Sequence, residues 1–573
     1  MVIGMMVSID TKTGKVAKES MPNSSKIKIG TAPSNFFCDA VLHPPKLFES
    51  KEDFERWLMD LRFTLAILEE AEEATVYAPF LLTNFIFAKE QGGHLLLKDA
   101  VSKEDILLGA DSLAAYFATD MFFPGFCPVE GWRCLEHGAR ITIGKHGVSA
   151  ENSLKHTLNS TVFSEEPISL KKLESEFCAY FQSSIPQNSV VGIPLSGGID
   201  SAGILGFMRA HFPQYQYKAI SVGAYGKGTW DLVNARKSAQ YNGVEQHELY
   251  PVLSDLDNLA FLAAKLPVLP RASQATLMYQ VAKKAKQLGC TDLVWGVGTN
   301  MLTSSTKYAE LVSKVMHEHK RFPVAGWLFP LLEVLAPKKH RNMISMVANP
   351  HEDVFQKYLR YKCIRQTKEA ELLGIPYVEQ FREISRKNLN GLREGFEPDK
   401  ECTNADMLLF SSYAYTAGLD IITRLYGVNS HSPLFHPPIF RILYGHRYGA
   451  EEKVIGKKVI KDLFAPYLFQ PVDQFEGLAV IYPYNNWMRG EFGEKVFSYC
   501  KRSKAMRPIL KDVHYDDVSP YDAMGWLLLK LLWLGLWYDI WVQGSGPKPL
   551  SEIIGYEYRE KDRLPVPMDR RNG

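Results

Sequence analysis

Between residues 170 and 300, short apolar runs alternate with stripes of helical spacing. NSVVGIPLS (188–196) reads as a strand and DSAGILGFMRAHF (200–212) as a helix. YKAISVGAYG (217–226) is again strand-like, WDLVNARKSAQYNG (230–243) helical, and EQHELYP (245–251) a short strand. ASQATLMYQVAKKAKQLG (272–289) and TDLVWGVG (291–298) repeat the pair. Such alternation predicts an α/β region with a parallel sheet. LKKLESEFCAYFQSSI (170–185) is an amphipathic helix leading into the first of these strands.

Outside that region the pattern is less regular. Residues 1–150 mix strand-like runs with one helical pattern, SKEDFERWLMDLRFTLAILEEAEE (50–73). GWRCLEHGARITIGKHGVSA (131–150) reads as a turn, a strand and a hairpin. ENSLKHTLNSTVFSEEPIS (151–169) has no apolar period and reads as a linker. Residues 300–573 read as mostly helical, with aromatic-rich loops. Two domains are expected, 1–160 and 161–573, and a length of 573 residues favours such a division.

Composition narrows the function classes. Lys+Arg 66 against Asp+Glu 64 is near balance, so no nucleic-acid or membrane-surface partner is expected. The eight cysteines are scattered without a C-x-x-C pair, which fits reduced thiols in a cytoplasmic protein. WLLLKLLWLGLWYDIWV (526–542) is the most membrane-like stretch, yet it carries Lys530 and Asp539 and reads as a core helix. The start, MVIGMMVSIDTKTGK, has no basic flank or cleavage site and reads as a first strand. Several histidines lie in HSPLFHPPIFRILYGHRYG (431–449), but no pair has zinc-ligand spacing.

The candidate chemistry sits at the junction LSGGIDS (195–201). A helix beginning after this turn presents free backbone N–H groups and a positive dipole end, which together bind phosphate. Gly197 and Gly198 would let the backbone approach a ligand, Ser196 and Ser201 add hydroxyls, and Asp200 can hold Mg²⁺. The spacing matches neither a Walker A loop nor a dinucleotide fingerprint. A plain strand-to-helix turn with Ser and Asp as caps is the simpler reading of the same residues.

The hexad resembles the pyrophosphate loop of the ATP pyrophosphatases, and LSGGIDSA (195–202) is most similar to the asparagine synthetase family. ISVGAYGKGTWDLVNARKSAQYNGVEQHEL (220–249) resembles that family's second strand, helix and strand, and CTDLVWGVGTNM (290–301) its strand ending in Gly-Glu-Gly-Ala-Asp-Glu. HSPLFHPPIF (431–440) is similar to the Arg-x-Pro-Phe-Leu-Asp segment, and IGKKVIKDLFAPYL (455–468) to the Lys-x-x-Leu-Arg helix. The likeness runs over roughly residues 170–480. It implies an adenine nucleotide α-hydrolase-like (PP-loop) synthetase domain with a helical C-terminal part. An α+β glutaminase-like domain of the N-terminal-nucleophile type would precede it. The implied chemistry is adenylation of a carboxylate by ATP and Mg²⁺, release of pyrophosphate, and amide formation with an amine.

Carried over residue by residue, Leu195, Val222, Gly223 and Gly296 would border the adenosine. Ser196, Gly197, Gly198 and Ser201 would hold pyrophosphate, Asp200 and Asn300 the metal, and Lys457 or its neighbour Lys458 the developing phosphate charge. The sequence also departs from the family. Glutamine-dependent members carry Cys directly after the initiator Met, where this chain has Val2. Asn300 replaces a metal-binding Asp, and Ser304 and Ser305 replace a Gly-Gly pair. Val297 stands where asparagine synthetases have Glu and β-lactam synthetases a catalytic Tyr, and a valine moves no proton. Glu333 lies about where the β-lactam enzymes keep that tyrosine's carboxylate partner. His436 replaces the Asp of the Pro-Phe-Leu-Asp segment, and His431 its Arg.

The resemblance therefore points to an ATP-dependent C–N ligase without glutamine hydrolysis, like β-lactam synthetases or lasso-peptide cyclases. Its substrate would be a small molecule or peptide bearing both a carboxylate and an amine. A nucleotide-binding pseudoenzyme, an amidotransferase using free ammonia and a tRNA-modifying pyrophosphatase are the alternatives.

Overall fold

The computed structural model describes residues 6–303 and 416–566 apart from short interior stretches, together with 364–374 and scattered positions between 381 and 407. Among the described residues, the first 152 form two largely antiparallel sheets, of five and seven strands. Met6–Asp10 pairs with His94–Lys98 in the first, and Ala66–Glu69 lies at the centre of the second. The helical pattern expected over 50–73 is split. Lys51–Met59 is helical, capped by the Ser50 side chain, but Ala66–Glu69 and Glu73–Tyr77 are paired strands. Leu65, Ala66, Ile67 and Leu68 are all fully buried, and a strand buried on both faces has no alternation to set it apart from a helix.

The stretch expected to be a linker, 151–169, is also partly ordered. A strand runs to Asn152, whose side chain caps the helix Ser153–Ser160, and Leu154 and Leu158 enter the core from one face. Their i,i+4 pair is too short a signal for a periodicity argument.

The second region is a parallel sheet flanked by helices. Its entry helix α1 (Leu170–Ser184) buries Leu173, Phe177, Tyr180 and Phe181, one apolar stripe. The strands and helices then follow as β1 (Val190–Pro194), α2 (Ile199–His211), β2 (Gln216–Val222), α3 (Trp230–Tyr241), β3 (Glu245–Leu249), α4 (Ala272–Gln287), β4 (Asp292–Val294) and α5 (Thr299–Leu302). Further on come α6 (Ala417–Arg424), β5 (Asn429–His431), α7 (Pro437–Tyr444), α8 (Lys458–Phe464) and α9 (Met524–Trp541). The strand order is β3-β2-β1-β4-β5, every pair parallel. All carboxyl ends therefore share one edge, where ligands of open α/β sheets bind. The edge strand β5 escaped the sequence pattern because Asn429, Ser430 and His431 are polar.

The apolar stretch at 526–542 is core. Among the described residues no helix is long and apolar enough to cross a membrane. In α9 the indole N–H groups of Trp533, Trp537 and Trp541 donate to the carbonyls of Pro270, Leu266 and Ala263 at 2.9, 3.1 and 2.9 Å.

Candidate active site

The first turn at the carboxyl edge joins β1 to α2. Leu195 N–H donates to the Ile220 carbonyl at 2.8 Å and Ser221 Oγ–H to the Leu195 carbonyl at 2.8 Å, so the turn is tied to β2 before it leaves the sheet. Gly197 has φ +76°, and a Cβ there would overlap the Asp231 carbonyl in the first turn of α3. Only glycine meets both demands. Gly198 begins α2 without any side-chain cap. The capping role that Ser201 could have taken is not realised: its hydroxyl accepts from Ser196 N–H at 3.1 Å and donates to the Gly198 carbonyl at 3.2 Å. Ser196 and Ser201 hydroxyls stand 3.2 Å apart. The first N–H groups of a 13-residue helix thus have no side-chain cap.

Asp200 lies in that first turn. Its Oδ2 is 2.5 Å from Lys457 Nζ, while its Oδ1 is buried and has no hydrogen-bond partner among the described residues. An orphaned buried carboxylate oxygen is a natural seat for a cation. Lys457 precedes α8 with φ 56°, one of two described non-glycine residues at positive φ, and this backbone directs its side chain to Asp200. Lys458 pairs with Asp462 at 2.5 Å on the exposed side, so Lys457 is the lysine at the turn. One helical turn on, Lys461 is half-buried, and burial together with the Lys457 charge lowers its pKa. Sequence reasoning passed over Lys461, although it falls at the Arg of the Lys-x-x-Leu-Arg pattern once Lys457 is placed first. It also passed over Asp231, whose pKa burial pushes up to about 6.

The loop after β4 closes on the same turn. A Cβ at Gly296 would stand 3.0 Å from Ser201 N and from the Asp200 carbonyl carbon, so residues 296 and 200–201 are in contact. Val222 ends β2, and the N–H of Gly223, which follows it, donates to the Leu249 carbonyl at 2.8 Å. Val297 is half-buried among apolar neighbours, and Asn300 is exposed on α5. Glu333, Ser304 and Ser305 lie outside the described residues.

The two histidines part company. His431 is 2% exposed and holds Asp292 at 2.9 Å, with Tyr180 Oη 3.4 Å from its other ring nitrogen, so it ties β5 to β4. Burial acts to raise the Asp292 pKa, but hydrogen bonds from His431 and Thr291 outweigh it and bring the group to about 2. His436 packs on the Tyr180 ring at 4.9 Å, and burial lowers its pKa to about 4. It is a neutral imidazole at pH 7.

A family model for asparagine synthase matches residues 183–395, a stretch holding the 195–201 turn, α3 and the loop after β4. Lys457, His431 and His436 lie beyond it. Among solved structures, the U34-tRNA thiolase NcsA from Methanococcus maripaludis with its 4Fe-4S cluster is similar at 14% identity. That match covers 38% of this chain and 78% of the other, with a TM-score of 0.19. An NH3-dependent NAD synthetase from Campylobacter jejuni is similar at 14% identity over 40% of this chain and 99% of its own, with a TM-score of 0.20. A search of curated proteins finds no match. The asparagine-synthase match falls on the parallel-sheet region and agrees with the α/β fold seen there.

Proposed function

We propose that the chain adenylates a substrate carboxylate with ATP and joins the resulting acyl group to an amine of the same substrate, forming a lactam or macrolactam without hydrolysing glutamine. The observation that carries this reading is the Asp200–Lys457 pair set over the uncapped start of α2. The carboxylate oxygen attacks the α-phosphorus, pyrophosphate leaves with the electron pair, and the carboxylate becomes an acyl-AMP. The amine nitrogen then forms the C–N bond, the C–O bond to AMP breaks, and the amine gives up one proton.

The residues fit these demands. Ser196, Ser201 and the N–H groups after Gly198 would bind the departing pyrophosphate, and Lys457 with Lys461 would offset charge on it. Asp200 Oδ1, buried and unpartnered, suits Mg²⁺, with Asn300 as the second proposed ligand. Bound there, the ion would supply charge neutralisation on phosphate oxygens. Val222, Gly223, Leu195 and Gly296 would border the adenosine. Independence from glutamine is supported by Cys38 and Cys134, the described cysteines of the N-terminal sheets, which are 1% and 2% exposed and unsuited to nucleophilic attack. Those sheets then serve as a glutaminase-like scaffold rather than an ammonia source.

The test is ATP–pyrophosphate exchange across a panel of amino and peptide carboxylates. Exchange that requires one acid and disappears in Asp200→Ala is expected. Tight ATP binding with no exchange for any acid would turn the reading into a nucleotide-binding pseudoenzyme, a role that Val297 would suit. Glutamine-dependent formation of asparagine would overturn the intramolecular reading.

A further inference from the structure

Phe435 touches two features at once. Its ring packs on the loop after β4, where a Cβ on Gly298 would lie 2.9 Å from it. It also lines a cavity of about 320 Å³ between the N-terminal sheets and the edge strand β5. That volume lies at the small end of the range for small-molecule sites. Both halves of the chain build the wall: Asp60, Phe80 and Leu81 from the first, Asp420, Ser432 and His436 from the second.

The chemistry of that wall selects among ligands. It holds two carboxylates, several hydroxyls and the neutral His436 imidazole, and no lysine or arginine is among its described residues. Arg441 and Arg424 pair with Asp60 and Asp420 at 2.6 and 3.1 Å, but neither forms part of the wall. An anion entering the cavity would give up hydration and face the two carboxylates, with the arginines standing behind them and already engaged. An ammonium group would meet carboxylate and hydroxyl oxygens that accept its N–H bonds. Phe80, Leu81 and Phe435 would cover a hydrocarbon or aromatic stem.

We infer that this interdomain cavity seats the amine-bearing end of the substrate, an ammonium group on an apolar stem, with Phe435 between it and the loop after β4. The inference rests on the proposed ligase reading for the word substrate, and on the cavity alone for the ligand class. It also gives the N-terminal region a part in the reaction that needs no glutaminase chemistry: its segments 59–61 and 79–81 supply one wall of the amine site.

The experiment uses the full chain and two probes of equal size and opposite charge, benzylammonium and benzoate, followed by saturation-transfer NMR. Benzylammonium should bind in the millimolar range and benzoate at least tenfold more weakly. Leu81→Trp, which fills the cavity, should remove benzylammonium binding, and Asp420→Asn should weaken it at least fivefold. Circular dichroism and melting temperature establish that each variant folds, and the two substitutions lie on different domains, so one folded variant suffices. Equal binding of benzoate, or benzylammonium binding retained in a folded Leu81→Trp, would overturn the inference. Exchange assays separate the two readings. Pyrophosphate exchange without amine binding overturns the cavity assignment alone. Amine binding that follows the variants but comes without exchange upholds the cavity and overturns the ligase reading.

Discussion

Lys457 holds a left-handed backbone, a conformation that costs a non-glycine residue about 1–3 kcal/mol and persists where the surroundings impose it. The return on that strain is an ammonium 2.5 Å from Asp200. Lys458, next to it, pairs with Asp462 in an exposed i,i+4 pair, an interaction of a few tenths of a kcal/mol. The two lysines should therefore respond differently to truncation. Lys457→Ala is expected to lower product formation about 10²–10³-fold, the scale for losing one charge-stabilising donor. Lys458→Ala should stay within about twofold. Single-turnover rates on the two variants check this, and equal losses would place the functional cation elsewhere on α8. The sequence left this pair open because adjacent helical residues differ by about 100° in direction, and no periodicity fixes which one faces inward. The placement of Gly197, Asp200 and Ser201 at a strand-to-helix turn was legible, since a strand, a glycine turn and a helix permit few geometries.

Regular elements were legible to the extent that one face differed from the other. α1 carried that contrast, while β1 and β4, buried on both faces, were read from the regular spacing of short apolar runs between helical stripes. Ala66–Glu69, also buried on both faces, lacked that spacing, and β5 is short and polar. α9 is buried on nearly every face, and its tryptophans anchor it to the carbonyls of residues 263–270, a contact the sequence could not state. Spaced four apart, Trp533, Trp537 and Trp541 lie near one face of the helix, and each indole N–H donates to a carbonyl of the 263–270 segment. Trp537 is fully buried. Trp537→Phe keeps most of the apolar volume while removing the N–H, leaving the Leu266 carbonyl without its donor. The expected loss is about 1–3 kcal/mol, read from the denaturant midpoint. A shift near zero would mean that the carbonyl finds another donor.

At the scale of the whole molecule, the N-terminal sheets and the parallel-sheet region are packed against each other. Residues 116–122 dock on the second region: Tyr116 Oη donates to the Lys530 carbonyl at 2.8 Å, Arg271 to the Thr119 carbonyl at 3.0 Å, and Phe122 N–H to the Leu269 carbonyl at 2.8 Å. At their centre Lys530, 3% exposed, reaches Asp120 at 2.7 Å, Glu369 at 2.8 Å and the Phe117 carbonyl at 2.6 Å. One core of buried apolar side chains runs through both regions, from Val7 to Tyr556. None of this could be read from the chain, because the partners are separated by 161 positions for Glu369 and 413 for Phe117, and Lys530 looked like a reason against a membrane span. Glu369 is 0% exposed, so a neutral residue in place of the lysine would strand a buried carboxylate. Lys530→Met should destabilise the chain by about 3–5 kcal/mol, the scale for breaking a buried pair from one side. Lys530→Met combined with Glu369→Gln should recover part of that loss, because the stranded charge goes with it. If the double variant were as unstable as the single, the cluster's contribution would lie in packing rather than charge. Melting of the two variants side by side decides it, and since the cavity is walled by both halves of the chain, the same variants should weaken benzylammonium binding in proportion to the docking they lose.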